Sequence, residues 1–172
     1  MLNQEIKKPK EIVISVLDLD RYRDFITDAH YETFRITFES EISEEFLKEE
    51  FIRMQNDCMN NEGSVVGAFI EGEIAGLAVL EIRERSDCQY GWIHFYYVAP
   101  EFRKLGVGKK LVDFSVSFYR SRGLSEICLR TGENNIITQA FYTKNGFVRV
   151  PEEDRISLFG VTEFFMKLEI DV

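Results

Sequence analysis

Cysteine, proline and histidine are scarce in this chain: 172 residues hold three cysteines, three prolines and two histidines. Cys58, Cys88 and Cys128 are odd in number and widely spaced, with no C-x-x-C pair. That disfavours a disulfide framework and a thiolate zinc site, so no metal centre is expected, and the cysteine usage suits a reducing cytoplasm. With so few prolines and only 11 glycines, neither a collagen-like repeat nor a disordered chain fits. No apolar run is long enough for a membrane helix. Met1-Leu2-Asn3-Gln4-Glu5-Ile6-Lys7-Lys8 lacks the apolar stretch of a secretory leader. Positive charge is also short, 21 Lys and Arg against 30 Asp and Glu, for a net charge of −9. A chain this acidic is a poor general binder of nucleic acid or of an anionic membrane, and neither is expected as a partner.

What is present reads as one globular domain spanning residues 1–172, with 45% hydrophobic and 30% charged residues. A domain of this size buries roughly 70% of the surface of its unfolded chain, enough for a full core. Glu11 to Leu17 reads as a first strand. Asp18 or Asp20 can cap a helix in which Tyr22, Phe25, Ile26 and Ala29 recur at helical spacing. Ser43, followed by Glu44 and Glu45, marks a second helix start, and Leu47, Phe51, Met54 and Cys58 form its apolar stripe. Three strands follow: Ser64 to Ile70, Glu73 to Glu84 across the turn dipeptide Glu71-Gly72, and the aromatic Tyr90 to Val98. A helix from Val107 to Arg122 stops at Gly123. After it come a strand at Glu126–Arg130, a short helix at Ile137–Lys144 and strands at Phe147–Val150 and Glu163–Ile170. This order predicts a mixed α/β fold, with an antiparallel meander first and crossover helices later. The apolar last strand is expected to offer an edge for a homodimer.

The chemistry concentrates where the fourth strand meets the long helix, Val98-Ala99-Pro100-Glu101-Phe102-Arg103-Lys104-Leu105-Gly106-Val107-Gly108-Lys109-Lys110-Leu111. Glycines there open a helix, whose first N–H groups lack partners and carry partial positive charge, a setting that receives phosphate. Arg103, Lys104, Lys109 and Lys110 add cationic charge to a negative chain. The bland alternative is a solvated strand-to-helix turn. A Rossmann fingerprint is excluded because Leu111 stands where a third glycine is needed, and no Walker A sequence occurs.

Arg103-x-x-Gly106-x-Gly108 resembles the acyl-CoA signature of the GNAT superfamily of N-acetyltransferases. The block from Asn135 to Phe147 is similar to that family's N-x6-Y-x3-G-F block. The resemblance covers about Val65 to Val150. It implies a mostly antiparallel sheet flanked by about four helices and splayed between the fourth and fifth strands. Acetyl-CoA, the co-substrate, would lie in that gap. Its pantetheine arm would pair with backbone near Tyr96 and Val98, and its pyrophosphate would sit on Lys104, Leu105, Gly106, Val107, Gly108 and Lys109 beside Arg103. Asn135 either contacts the cofactor arm or caps the helix that follows it. The implied reaction is direct attack of a primary amine, of a small molecule or a peptide, on the thioester. Tyr142 matches the family residue that donates to the departing thiolate.

The base has several candidates. His94 on the fourth strand has a pKa range suited to proton removal at neutral pH, or is a histidine hydrogen-bonded within an aromatic strand. Glu81 lies among apolar neighbours, where an unpaired carboxylate is costly. Some relatives carry a glutamate where this chain has Arg130, and water relay is a further route. Cys128, in a strand expected to be buried, is a poor nucleophile. His30 is expected at the surface. Asp18, Asp20, Asp24, Asp28, Glu32, Glu39, Glu41, Glu44, Glu45, Glu49 and Glu50 crowd the first two helices. They are either a solvated face or an attraction for a cationic acceptor such as a polyamine. A non-catalytic acyl-CoA-binding or regulatory domain is the competing function, favoured by the lack of an unambiguous base and opposed by Tyr142.

Overall fold

The computed structural model describes residues 10–86 and 88–171. The leader expectation for Met1–Lys8 lies outside the described residues. In chain order the elements are β1 (Ile12–Val16), α1 (Arg23–Phe38), α2 (Glu44–Asn60), β2 (Val65–Ile70), β3 (Glu73–Arg85), β4 (Cys88–Val98), α3 (Val107–Arg120), β5 (Glu126–Gly132), α4 (Ile136–Lys144), β6 (Val148–Arg149), β7 (Arg155–Ile156) and β8 (Thr162–Glu169). No described helix is long and apolar enough to cross a membrane.

Among the described residues, eight strands make one sheet in the order β1-β2-β3-β4-β5-β8-β6, with β7 also on β8. All pairings are antiparallel except β4 with β5, which is parallel and limited to Gly91↔Ile127 and Trp92↔Cys128. Beyond Trp92 the two strands part, as the expected splay requires. The cause is local: Val79 pairs with Phe95 and Leu80 with Ile93, so His94 is an extra residue. Such a bulge bends its strand and raises its twist.

Two cores clothe the two faces. On one, α3 packs Leu111, Phe118 and Tyr119 against Ala78, Leu80, Ile93, Ile127 and Leu129. On the other, Ile26 and Ala29 of α1 and Phe51 and Met54 of α2 cover Leu77, Val79 and Tyr97. Strand alternation sends successive residues of β3 to opposite cores.

Three expectations change. Ser43 caps α2, its Oγ accepting from Phe46 N at 3.1 Å, but Asp18 caps only the turn before α1, accepting from the N–H of Asp20 and Arg21. The strand expected over Phe147–Val150 shortens to two residues, and β7 is an additional two-residue strand. Most consequentially, β8 is no free edge. β5 occupies one side of it through seven residue pairs, and β6 and β7 line the other, so the basis for a homodimer edge there is gone.

Gly91 sits in the short parallel pairing, and a Cβ at that position would fall 2.7 Å from the Tyr119 ring. That ring is fully buried and its hydroxyl donates to the Trp92 carbonyl at 2.7 Å, so it cannot swing away cheaply. Gly91→Ala should therefore destabilise the protein by about 1–3 kcal/mol, the scale of core overpacking. Urea denaturation checks this, with the midpoint expected to fall.

Candidate active site

The gap beyond Trp92 exposes the backbone of one strand. Ala99 N donates to Ala75 O at 3.0 Å, which turns Ala99 and Tyr97 toward β3. Alternation along an antiparallel strand then turns the N–H and C=O of Tyr96 and Val98 into the gap. The Val98 carbonyl accepts there from Arg103 Nε at 2.9 Å. The Tyr96 hydroxyl donates to the Leu111 carbonyl at 3.2 Å and meets Ser115 Oγ. Burial raises its pKa, so it stays protonated.

At the mouth of the gap the chain turns through two left-handed residues, Lys104 (φ 65°) and Gly106 (φ 92°), and enters α3. The first helical bond runs from Lys110 N to Gly106 O, which leaves the N–H groups of Val107, Gly108 and Lys109 without helical acceptors. Gly106 has no side chain to cap them. These donors, with Lys104 exposed beside them and Leu105 half exposed, fit the pyrophosphate of a bound CoA. The glycine at 108 answers to a different constraint: a Cβ there would meet the Phe141 ring at 3.0 Å. The cations are partly committed elsewhere. Lys109 pairs with Asp113, and the Arg103 Nη2 lies 2.6 Å from Glu32 Oε1. Glu32 Oε2 also accepts from the Tyr97 hydroxyl at 2.5 Å. Although burial acts to raise the Glu32 pKa, the bonds from Tyr97 and Arg103 leave it lowered.

Tyr142 of α4 stands across from Tyr96, ring centroids 6.2 Å apart, and packs edge-on to Phe147 at 5.3 Å. Burial raises its pKa well above 10, so the phenol remains a donor. Asn135 is a helix cap, its Oδ1 accepting from Thr138 N at 3.3 Å. The Cys128 thiol is fully buried and bonded to Glu126 Oε1 at 3.2 Å. Burial, then that carboxylate, pushes its pKa up, which leaves it inert.

On the opposite face, at the bulge, lies a group of charges. His94 Nε2 is 2.7 Å from Glu50 Oε2, and its Nδ1 is 3.2 Å from Glu81 Oε1 and 3.3 Å from Arg53 Nη1. Glu81 Oε2 accepts from Arg83 Nε at 2.8 Å and Nη2 at 2.7 Å, and the Arg83 guanidinium lies on the Trp92 ring. Glu50 is 4% exposed. Burial acts to raise its pKa, but the hydrogen bond from His94 and the charges of His94 and Arg53 drive it far below the carboxylate range. Asp57, one turn along α2 from Arg53, goes the other way. Burial and then the Glu81 charge lift its pKa to about 6, and its Oδ2 is buried without a partner.

His94 and Glu81, predicted separately, thus meet in one cluster. Glu50, Arg53, Asp57 and His30 were missed as parts of it. His30 is buried rather than at the surface. Glu50 is no member of a solvated face, and its place was legible: Leu47, Glu50, Phe51 and Met54 share one helical stripe, where a carboxylate needs a partner. Of the eleven acids crowding this region, all but Glu32 and Glu50 are exposed.

A splayed sheet with a bulge, an uncapped helix start at its mouth and a tyrosine across it is the arrangement that the resemblance to the GNAT superfamily implies. Residues 24–147 match the acetyltransferase (GNAT) family model. The chain belongs to this family, and it is an N-acetyltransferase with acetyl-CoA as co-substrate. It is 29% identical over 125 residues to the 5-NmdU N-acetyltransferase of Pseudomonas phage PaMx11, covering 73% of this chain and 84% of that one. A GNAT-family acetyltransferase of Staphylococcus aureus Mu50 shares the fold at a TM-score of 0.74 and 19% identity, over 94% of this chain and 100% of the other. A putative streptothricin acetyltransferase of Bacillus anthracis, solved with acetyl coenzyme A, is similar over 62% of each chain, at a TM-score of 0.55 and 25% identity.

Asp57 supplies a test of the cluster's electrostatics. Its pKa rises from 3.8 to about 6 on folding. Between those values the native state binds more protons than the unfolded state, so stability falls as pH rises through this window. Asp57→Asn removes that loss. Its melting temperature should exceed the wild-type value at pH 7, with the difference shrinking as the pH is lowered toward 4; differential scanning calorimetry at both pH values checks this.

Proposed function

We propose that the protein acetylates a primary amine by direct transfer in a ternary complex, and that the acceptor is a small cationic amine such as a polyamine. The observation that carries the mechanism is the position of His94, the bulged residue at the point where β4 leaves β5. Acetyl-CoA supplies the thioester carbon as electrophile. Tyr96 and Val98 offer backbone groups to its amide-rich arm in the manner of an added strand. Val107, Gly108 and Lys109 offer N–H groups to its phosphates, with Lys104, Leu105 and Gly106 shaping the turn and Arg103 alongside once it leaves Glu32.

The amine arrives as an ammonium and must lose a proton to become a nucleophile. His94, with its ring 17% exposed, receives that proton, and Glu81 accepts the hydrogen bond of the N–H so formed. The amine nitrogen bonds to the carbonyl carbon and the carbon–sulfur bond breaks; the surplus proton of the attacking nitrogen passes to the departing thiolate, which Tyr142 meets with a hydrogen bond from the opposite face. Glu81 is less suited to act as the base itself, because Arg83 holds one of its oxygens through two bonds. Asn135 serves chiefly as the α4 cap. The exposed acids of α1, α2 and the turn before α1 support a cationic acceptor, since they gather negative charge on the face that carries His94.

The test compares acceptors and variants in one thiol-release assay. Wild-type kcat/KM should be higher for a polyamine than for a neutral or acidic amino compound, and should fall as salt is added, since surface charges are screened beyond about 8 Å at physiological salt. His94→Ala and Tyr142→Phe should each lower kcat by about 10²–10⁴-fold, the range of acid–base assistance. Wild-type turnover in either variant would remove that residue from the mechanism, and preference for an acidic acceptor would remove the cationic one.

A further inference from the structure

The chain has only two histidines, and both face the same carboxylate oxygen. His94 Nε2 lies 2.7 Å from Glu50 Oε2. A carboxylate held ionised only accepts, so this nitrogen carries the proton and the lone pair of the neutral ring is on Nδ1. His30, buried on α1, has the reverse arrangement. Its Nδ1 is 2.8 Å from the Ile26 carbonyl, which also only accepts, so Nδ1 carries the proton. Its Nε2 is then bare, buried without a hydrogen-bond partner, and 3.8 Å from Glu50 Oε2. The His30 ring also lies flat on Phe95, centroids 4.1 Å apart and planes 4° apart. Phe95 is the residue next to the bulge.

We propose that Glu50 and His30 are positioning residues for His94: Glu50 holds the His94 ring by Nε2–H so that Nδ1 is the working nitrogen, and His30 braces the Phe95 side of the bulge by stacking on that ring. This rests on the reading of His94 as the proton acceptor. The proton leaves the substrate ammonium, lands on Nδ1, and gives an imidazolium whose two N–H groups point at two carboxylates, Glu50 and Glu81. The groups that face His94 are Glu50, Arg53 and Asp57 from α2, Glu81 and Arg83 from β3, and His30 from α1. The arginines oppose the carboxylates, and Glu50 has the shortest contact of the set.

Two measurements test this. The first is nitrogen-15 NMR of wild-type protein labelled at histidine, at a pH where both rings are neutral. Two imidazoles appear, and His30→Gln deletes one and so assigns both. The expected result is opposite tautomers, Nε2–H for His94 and Nδ1–H for His30; matching or exchanged tautomers overturn the proposal. The second is the pH profile of Glu50→Gln. Without the anion the imidazolium is less favoured, so the acid limb of kcat/KM for the amine should move to lower pH, with kcat down about 10²-fold and acetyl-CoA affinity unchanged. A fall in kcat with the limb unmoved means a structural role only and overturns the proposal. If Glu50→Gln does not fold, the wild-type spectra decide. The tautomers need no turnover, so a fully active His94→Ala would remove the base assignment without altering what the spectra report.

Discussion

One residue too many in β4 is the constraint on which the site depends. A strand stays bonded to neighbours on both sides only while its backbone keeps pace with both. β3 holds β4 along its whole length, from Arg85↔Cys88 to Gly76↔Val98. The extra residue, His94, bends β4 within that pairing, and β5 cannot follow. Two residue pairs remain before the split, braced from below by Tyr119. Beyond it, backbone groups that a sheet would normally satisfy face open space. An unmade hydrogen bond costs more than a made one contributes, so such groups favour a ligand that can complete them. The start of α3 lies at the mouth of the same gap and presents a second row of unpaired donors.

The same bulge sets the electrostatics of the other face. It brings His94 onto the α2 side, where Glu50 would otherwise be a buried carboxylate with little to satisfy it. Burying an unpaired charge is prohibitive, and pairing with hydrogen bonds is what makes it tolerable. Glu50, Asp57 and Glu81 are met by Arg53, Arg83 and the histidines, so the cluster is near electrical balance although the chain carries −9 overall. The surplus of negative charge lies outside, on the exposed acids. Inner and outer charges therefore do different work: the first tunes individual protons, and the second is a diffuse field weakened by salt.

Much of this was legible in the sequence because it is local. Turn residues, helical stripes and the spacing of Arg103, Gly106 and Gly108 each reflect a few consecutive residues. The two sequence blocks point to the splayed sheet, and the structure has it. What was not legible depends on which distant residues meet. His94 and Glu50 are 44 positions apart, and nothing in their separate surroundings fixes the contact. Glu50 differs from the neighbouring acids only in lying on the apolar stripe of α2, a signal that the run of carboxylates around it hid. His30 reads as a surface residue beside Tyr31, yet α1 turns it inward with Ile26, Ala29 and Phe34. The role of β8 could not be judged from its own apolarity either, since an apolar strand suits an interior position as well as an edge. A further constraint on Gly108 was not legible either, because the ring of Phe141 that excludes a side chain there comes from another helix.

In the proposed complex, acetyl-CoA completes the open backbone of β4 and the start of α3. Hydrogen–deuterium exchange of the amides of Tyr96, Val98, Val107, Gly108 and Lys109, with and without acetyl-CoA, tests it most directly. These amides should exchange readily in the free protein and become protected when acetyl-CoA binds, while their neighbours paired to β3, Tyr97 and Ala99, change little. Saturating binding that leaves Tyr96 and Val98 unprotected would contradict it, because the co-substrate would then lie somewhere other than the gap that the bulge opens.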